Sequence, residues 1–198
     1  MSDVLIPGAR DVRGVLEEPG ATTADEIVVA CPPHPQHGGS RSDGRLVAVS
    51  DALRESGIAC LRFDYGPWDG GYGEREDVRN AVRWATDRYE RTGVFGYSFG
   101  ATQAILASAD VDAVDAVSAL APAARLADDL EAIPALESVS IPVQIVYGER
   151  DTTVEWDSVV ERAADRGDEV RPIPADHFFL GRQGTIADDV SAFFERTL

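Results

Sequence analysis

The sequence contains no lysine, only two cysteines and one methionine. All 18 basic residues are therefore arginines, and 35 aspartates and glutamates outnumber them to give a formal net charge of −17. Nucleic acids and anionic membranes attract cationic surfaces, so we expect neither as a partner. We interpret the acidity as a halophilic surface, adapted to concentrated salt in which the Debye length falls to about 3 Å at 1 M. An acidic protein from an ordinary cytosol is the alternative.

Long apolar segments and closely spaced cysteines are also missing. The longest charge-free run, residues 92–109, is interrupted by glycines and polar residues and does not fit a membrane helix. The first eleven residues have no basic segment followed by an apolar one, so we expect no secretory signal and a cytoplasmic protein. Cys31 and Cys60 lie in separate apolar stretches, which indicates two buried free thiols; a disulfide or a reactive thiol is the alternative.

At 198 residues and 44% hydrophobic, the chain is sized for a single domain over residues 1–198. Strands are expected at residues 12–16, 26–31, 58–63, 93–97, 114–120, 141–147 and 170–173. Helical spacing of apolar residues falls between them, at residues 46–53, 78–89, 101–109, 156–163 and 186–194. This alternation predicts an α/β fold with a mostly parallel sheet and helices on both faces. Only about twenty residues link the strands at 114–120 and 141–147, too few for a lid domain.

The most specific motif is Gly96-Tyr97-Ser98-Phe99-Gly100, a Gly-x-Ser-x-Gly between a predicted strand and a predicted helix. A serine at so sharp a turn has a strained backbone, and small residues two before and two after it avoid clashes. The motif therefore predicts that Ser98 is a nucleophile whose hydroxyl stands above the sheet. A glycine-rich turn with an idle serine is the alternative.

A serine hydroxyl needs a base to remove its proton and a third group to orient that base. His177 is the single histidine beyond Ser98 and follows the last predicted strand, while Asp151 follows the strand at 141–147. Because parallel strands end at one edge of the sheet, we expect the three to meet, in the Ser, Asp, His chain order that α/β-hydrolases share. The alternatives to Asp151 are Glu149, Asp157 and Asp176.

Such chemistry also needs donors for an oxyanion. One is expected to be the backbone N–H of Phe99; the other should come from the loop after the second predicted strand, from Gln36 or else His37. Pro35 is excluded because it has no N–H. A metal site formed by His34 and His37 is the alternative use of this loop, but the loop is rich in proline and no carboxylate lies at short spacing, so we expect no metal and no cofactor.

These motifs resemble those of the small α/β-hydrolases related to dienelactone hydrolase. The likeness runs through residues 31–39, 61–65, 96–100, 148–154 and 176–182. It implies the α/β-hydrolase fold and the same placement of the three residues. Two departures concern Pro32, which replaces the first histidine of the family's loop, and residues 66–71, which replace its usual Arg-Gly-x-Gly-x-Ser. Dienelactone hydrolases proper use a cysteine nucleophile, so their lactone substrate is not transferred to this chain.

The sequence thus predicts a serine hydrolase that cleaves a small carboxylic ester, thioester or lactone through an acyl-enzyme. Candidate substrate-binding residues, chosen because their loops lie at the catalytic edge, are His34, His37, Trp68, Tyr72, Ala123 and Phe178. An amidase or peptidase with the same triad is one alternative, and a non-catalytic ligand-binding or scaffold protein on the same fold is another. The expected partner is a small-molecule substrate, and the sequence leaves the oligomeric state open.

Overall fold

The computed structural model describes residues 1–20 and 24–198. The strands are β1 (Ser2–Ile6), β2 (Val12–Glu17), β3 (Glu26–Cys31), β4 (Ala59–Asp64), β5 (Arg91–Tyr97), β6 (Ala116–Leu120), β7 (Arg125–Ala127), β8 (Leu130–Glu131), β9 (Val143–Gly148) and β10 (Glu169–Ile173). The α-helices are α1 (Gly44–Glu55), α2 (Tyr72–Thr86), α3 (Phe99–Ser108), α4 (Ala132–Ser138), α5 (Asp157–Arg166) and α6 (Gln183–Thr197). A 3₁₀ turn, Pro35–His37, lies between β3 and α1.

Eight strands form one sheet in the order β1-β2-β4-β3-β5-β6-β9-β10. β2 pairs antiparallel with both β1 and β4, and the pairs from β4 to β10 are parallel. The predicted mostly parallel sheet is therefore confirmed, with β2 as its reversed strand. β1 was not predicted. It is an edge strand whose Leu5 is 63% exposed, so it has little of the apolar alternation that signals a strand.

Helices cover both faces of the sheet, as predicted. α1 and α6 pack on one face, where Leu46, Val49 and Leu53 of α1 join the buried phenylalanines of α6. α2 to α5 pack on the other, with Val78 and Val82 of α2 in that core. Each such fully buried aliphatic side chain stabilises the fold by about 1.5–3 kcal/mol relative to an exposed one. The two cores fix the sheet, and with it the loops at its carboxyl edge.

The link between β6 and β9 contains the β7–β8 hairpin and α4 rather than an inserted domain. Several elements begin earlier than predicted. β5 begins at Arg91 because the exposed Arg91 still pairs with Glu26 in the sheet, and backbone pairing needs no apolar side chain. α3 begins at Phe99, directly after the serine of the motif, which gives that serine a place beside the helix N-terminus.

Candidate active site

The site lies where β3, β5, β9 and β10 end at the carboxyl edge of the sheet. The loop after β3 approaches the start of α3 so closely that a Cβ atom on Gly100 would lie 2.3 Å from the carbonyl oxygen of Cys31. Only glycine permits this contact, which brings the 32–39 loop beside Ser98. A cavity of about 640 Å³ opens between these loops, with Ser98 on its wall.

Ser98 stands at a strained turn between β5 and α3. Its φ of 56° and ψ of −117° fall in a region that residues with a Cβ rarely adopt. The turn is possible because Gly96 lacks a Cβ, which would lie 2.1 Å from the carbonyl oxygen of Gly100. The Ser98 N–H also donates to Leu120 O at 2.8 Å. The backbone thus holds the Ser98 hydroxyl above the sheet.

Three residues predicted from the sequence meet in one hydrogen-bonded row. Ser98 Oγ lies 2.9 Å from His177 Nε2, and His177 Nδ1 lies 2.6 Å from Asp151 Oδ2. His177 is 5% exposed and Asp151 7%. When Nδ1–H donates to the carboxylate, Nε2 has a free lone pair directed at the Ser98 hydroxyl. This is the arrangement in which an imidazole can take the serine proton.

Asp151 is held in place by its own loop. Its Oδ1 accepts the backbone N–H groups of Thr153 at 2.8 Å and Val154 at 3.4 Å, which leaves Oδ2 for His177. The alternatives do not reach the imidazole: Asp176 Oδ1 instead accepts the Phe178 N–H at 3.0 Å. Glu149 and Asp157 are exposed. The geometry therefore favours Asp151.

The loop that bears His177 is fixed from two sides. Tyr97 donates its hydroxyl to His177 O at 2.9 Å, and Arg45 Nη1 donates to Phe178 O at 2.7 Å. The Arg45 guanidinium also lies over the Tyr97 ring, 4.1 Å from its centre. Burial raises the pKa of Tyr97 to about 12, so its hydroxyl keeps its proton at all ordinary pH values. Tyr97, the residue before Ser98, thus holds the backbone of His177 in place.

Both residues predicted to supply the second oxyanion donor use their N–H groups inside the loop after β3. The Gln36 N–H already donates to His34 Nδ1 at 3.3 Å, and the His37 N–H donates to His34 O at 3.0 Å. Both predicted candidates are therefore used inside the loop, and Gln36 does not line the cavity. In the described part of the chain, the N–H groups of His34 and Phe99 have no such acceptor. Both residues line the cavity.

Four of the six predicted substrate-binding residues line the cavity: His34, His37, Ala123 and Phe178. Trp68 and Tyr72 do not. Trp68 lies behind His34, with ring centroids 4.6 Å apart, and Tyr72 turns away to donate its hydroxyl to Asp129. The sequence placed both on the correct edge but could not give the direction of their side chains.

Sequence reasoning missed several wall residues: Pro33, Gly38, Gly39, Asp43, Arg45, Tyr97, Leu126, Thr153 and Val154. For two of them a signal was present. Asp43 and Arg45 stand at the expected start of a helix just after a glycine-rich loop, where an N-cap aspartate is common. Asp43 does cap α1, accepting the Arg45 N–H at 2.9 Å.

Residues 1–20 and 24–198 contain neither a cluster of metal-ligating side chains nor a helix that could span a membrane. No three His, Cys, Asp or Glu side chains there come together as metal ligands would. His34 and His37 instead stack ring on ring at 4.4 Å. None of the helices in this part of the chain has the length and apolar run needed to span a bilayer.

The sequence model of the dienelactone hydrolase family matches residues 73–183, which is more than half of the chain and includes all three residues of the hydrogen-bonded row. The chain belongs to the dienelactone hydrolase family. Membership in this family supports a hydrolase activity for the chain. No protein with a curated function matches the sequence.

Solved structures agree on the fold. An alpha-beta serine hydrolase homologue from Coxiella burnetii is 24% identical, with a TM-score of 0.80 over 96% of each chain. An α/β serine hydrolase without lid from Xanthomonas campestris is 21% identical, with a TM-score of 0.81 over 100% of this chain and 94% of its own. A dienelactone hydrolase from Anabaena variabilis is 23% identical, with a TM-score of 0.80 over 100% and 97%. The chain therefore has the α/β-hydrolase fold without a lid.

Proposed function

We propose that this chain is a serine hydrolase that cleaves small carboxylic esters, thioesters or lactones through an acyl-enzyme. The observation that supports this most directly is the row from Ser98 Oγ through His177 to Asp151, with separations of 2.9 and 2.6 Å. A scaffold or binding protein has no need of a strained serine aligned with a buried imidazole and carboxylate.

In the proposed reaction, Ser98 Oγ attacks the substrate carbonyl while His177 Nε2 takes its proton. The Ser98 Oγ to carbonyl carbon bond forms, and the carbonyl π electrons move onto oxygen, where the N–H groups of Phe99 and His34 stabilise the negative charge. Collapse of this intermediate expels the alcohol or thiol, which receives the proton from His177. Water then repeats the sequence and releases the acid. Asp151 stabilises the imidazolium in both halves.

The cavity favours compact substrates. Phe178 lines it and is still 54% exposed, so the cavity is open to solvent, which suits a short acyl or aryl ester better than a long lipid chain. We expect acetyl, butyryl and small aryl esters to be cleaved faster than long-chain triglycerides. Faster cleavage of a long-chain triglyceride would contradict this assignment.

Covalent labelling tests the proposal. A fluorophosphonate probe should label the folded protein, and the label should disappear in Ser98→Ala. Persistent labelling of that variant would exclude Ser98 as the nucleophile, and no labelling of folded wild type would favour a binding or scaffold role. An ester, thioester and amide panel, assayed on the labelled and unlabelled protein, separates the ester hydrolase from an amidase.

We also propose that the protein works in concentrated salt, in the cytoplasm. The net charge of −17 repels itself, and salt screens this repulsion. Raising KCl from about 0.1 to 2 M is expected to raise the melting temperature. A melting temperature that is constant or falls over this range would remove the salt-adaptation argument.

A further inference from the structure

The charges on the wall of the cavity define a substrate class. Apart from its histidines, the wall within residues 1–20 and 24–198 has one acidic and one basic side chain, Asp43 and Arg45. Arg45 would be the natural partner for a substrate carboxylate, since a guanidinium matches carboxylate geometry. Whether it can act so depends on how many of its donors are free.

Arg45 is already committed within the protein. Its Nε donates to Asp43 Oδ1 at 2.8 Å, its Nη2 donates to Asp43 Oδ2, and its Nη1 donates to Phe178 O at 2.7 Å. One face of the guanidinium is covered by Tyr97. The pair is also shielded, with side-chain exposures of 18% for Arg45 and 11% for Asp43. Asp43 thus occupies the position at which a substrate anion would bind.

The rest of the wall, within the described residues, contains no second arginine and no lysine. Burial lowers the pKa of His34, and the neighbouring His37 lowers it further, so the His34 ring is neutral at neutral pH. The other lining groups include Leu126, Val154 and Phe178, which are apolar. A carboxylate placed against these groups would give up part of its hydration without gaining an arginine or lysine partner, which is unfavourable.

We propose that the Asp43–Arg45 pair is a specificity determinant that restricts this site to uncharged esters, and that Asp43 masks a latent carboxylate-binding group. The inference rests on the proposed hydrolase function and goes further by naming the charge class of the substrate. It also predicts a gain of function: a variant that uncovers Arg45 will accept anionic esters.

Two matched ester pairs test this. One pair has the charge on the alcohol side: 4-acetoxybenzoate and its neutral isostere 4-acetoxybenzamide. The other has it on the acyl side: 4-nitrophenyl hydrogen adipate and 4-nitrophenyl methyl adipate. The measured quantity is the ratio of kcat/KM for the anion to that for the neutral ester, divided by the same ratio for hydroxide-catalysed hydrolysis. Assays at 1 M salt remove repulsion by the net charge and leave the local effect.

We call this quotient the corrected ratio. For wild type we expect a corrected ratio of about 0.1 or less in both ester pairs. Asp43→Asn keeps an oxygen that can cap α1 but loses the charge. It should raise the ratio at least fivefold in the pair whose charge reaches Arg45, and Asp43→Asn combined with Arg45→Met should abolish that gain.

Corrected ratios near one for wild type in both pairs would overturn the inference, as would an Asp43→Asn variant that folds and changes neither ratio. If Asp43→Asn does not fold, the wild-type ratios alone decide. Failure of the hydrolase proposal itself would look different: neither neutral ester would be turned over and the fluorophosphonate would not label Ser98.

Discussion

Two regions of the molecule each bring together a serine, a carboxylate and a nitrogen-containing side chain. At the cavity, His177 lies between Ser98 and Asp151. Beneath α1, Ser50 Oγ donates directly to Glu17 Oε2 at 2.6 Å, and Arg62 Nη2 donates to the same oxygen at 2.8 Å. Similar groups are therefore present in both places, in a different order.

What each cluster can do depends on the order in which its three side chains contact one another and on whether its nitrogen group can accept a proton. In the inner cluster, formed by Glu17, Ser50 and Arg62, the serine hydroxyl donates its hydrogen bond directly to the carboxylate. No imidazole lies between them to remove the serine proton. Arg62 is permanently charged and cannot accept a proton. All three side chains are buried, so no substrate reaches them. In the outer cluster, an imidazole with a free lone pair separates the hydroxyl from the carboxylate, and a cavity adjoins it. A buried serine beside a carboxylate therefore indicates a nucleophile only when an imidazole lies between the two.

The strongest way to separate the clusters is to remove each serine. Ser98→Ala is expected to lower kcat/KM for a short ester by about 10⁴-fold or more, with the melting temperature nearly unchanged. The matched control is Ser50→Ala, which should leave kcat/KM unchanged and lower the free energy of unfolding by about 1–2 kcal/mol, because Glu17 loses one donor. Equal activity of the two variants would show that the comparison is wrong.

The second change concerns the carboxylate. Asp151→Asn is expected to lower kcat by about 10³–10⁴-fold, because an amide in this position favours the wrong imidazole tautomer and cannot stabilise the imidazolium. Single-turnover kinetics with a chromogenic ester measures it. A loss below tenfold would mean that one of the neighbouring acids supplies the charge instead.

The next change removes the positive charge of the inner cluster. Arg62→Met leaves Glu17 buried without its charged partner and is expected to cost about 3–5 kcal/mol of unfolding free energy. Urea denaturation measures this cost, and Glu17→Gln combined with Arg62→Met should recover part of it. Activity per folded molecule should be that of wild type. A tenfold loss of activity in the folded variant would connect this cluster to catalysis.

The cavity cluster was largely predictable from sequence, because chain order and strand ends determine where Ser98, Asp151 and His177 meet. The hydrogen bonding inside the loop after β3 was not. The sequence offered Gln36 or else His37 as the second oxyanion donor, whereas in the structure the Gln36 N–H donates to His34 Nδ1 and the His37 N–H donates to His34 O. Sequence pattern predicts which loop lies at the site, but not which of its N–H groups are used inside the loop.

The inner cluster, in contrast, could not be predicted from the sequence. Glu17 sits at the end of a strand that the sequence indicated only to residue 16, and nothing in the spacing of Glu17, Ser50 and Arg62 predicts that they meet. Their contact results from the antiparallel pairing of β2 with β4 and the packing of α1 over both. The unpredicted edge strand β1 has the same origin, since tertiary pairing rather than local pattern creates it.

Tyr97 tests how firmly the base must be held. Tyr97→Phe removes the hydrogen bond to His177 O but keeps the ring beneath Arg45, so kcat is expected to fall about tenfold with little change in KM. Steady-state kinetics of the folded variant measure both constants. A purely structural role would lower the melting temperature and leave kcat per folded molecule unchanged.

The smallest effect is a pH dependence of stability at the inner cluster. Burial alone would raise the pKa of Glu17, but hydrogen bonds from Ser50 and Arg62 outweigh it and hold the pKa below 4.5. A depressed pKa stabilises the fold above the unfolded value, and this stabilisation disappears as pH falls through the folded value. The difference in unfolding free energy between wild type and Glu17→Gln should therefore shrink between about pH 5 and pH 3. Other acids with lowered pKa values, Glu76 and Glu169, titrate in both proteins and cancel in the difference. A difference that stays constant over this range would mean that Glu17 does not ionise there, and the inner cluster would then hold a neutral acid beside Arg62 rather than an ion pair.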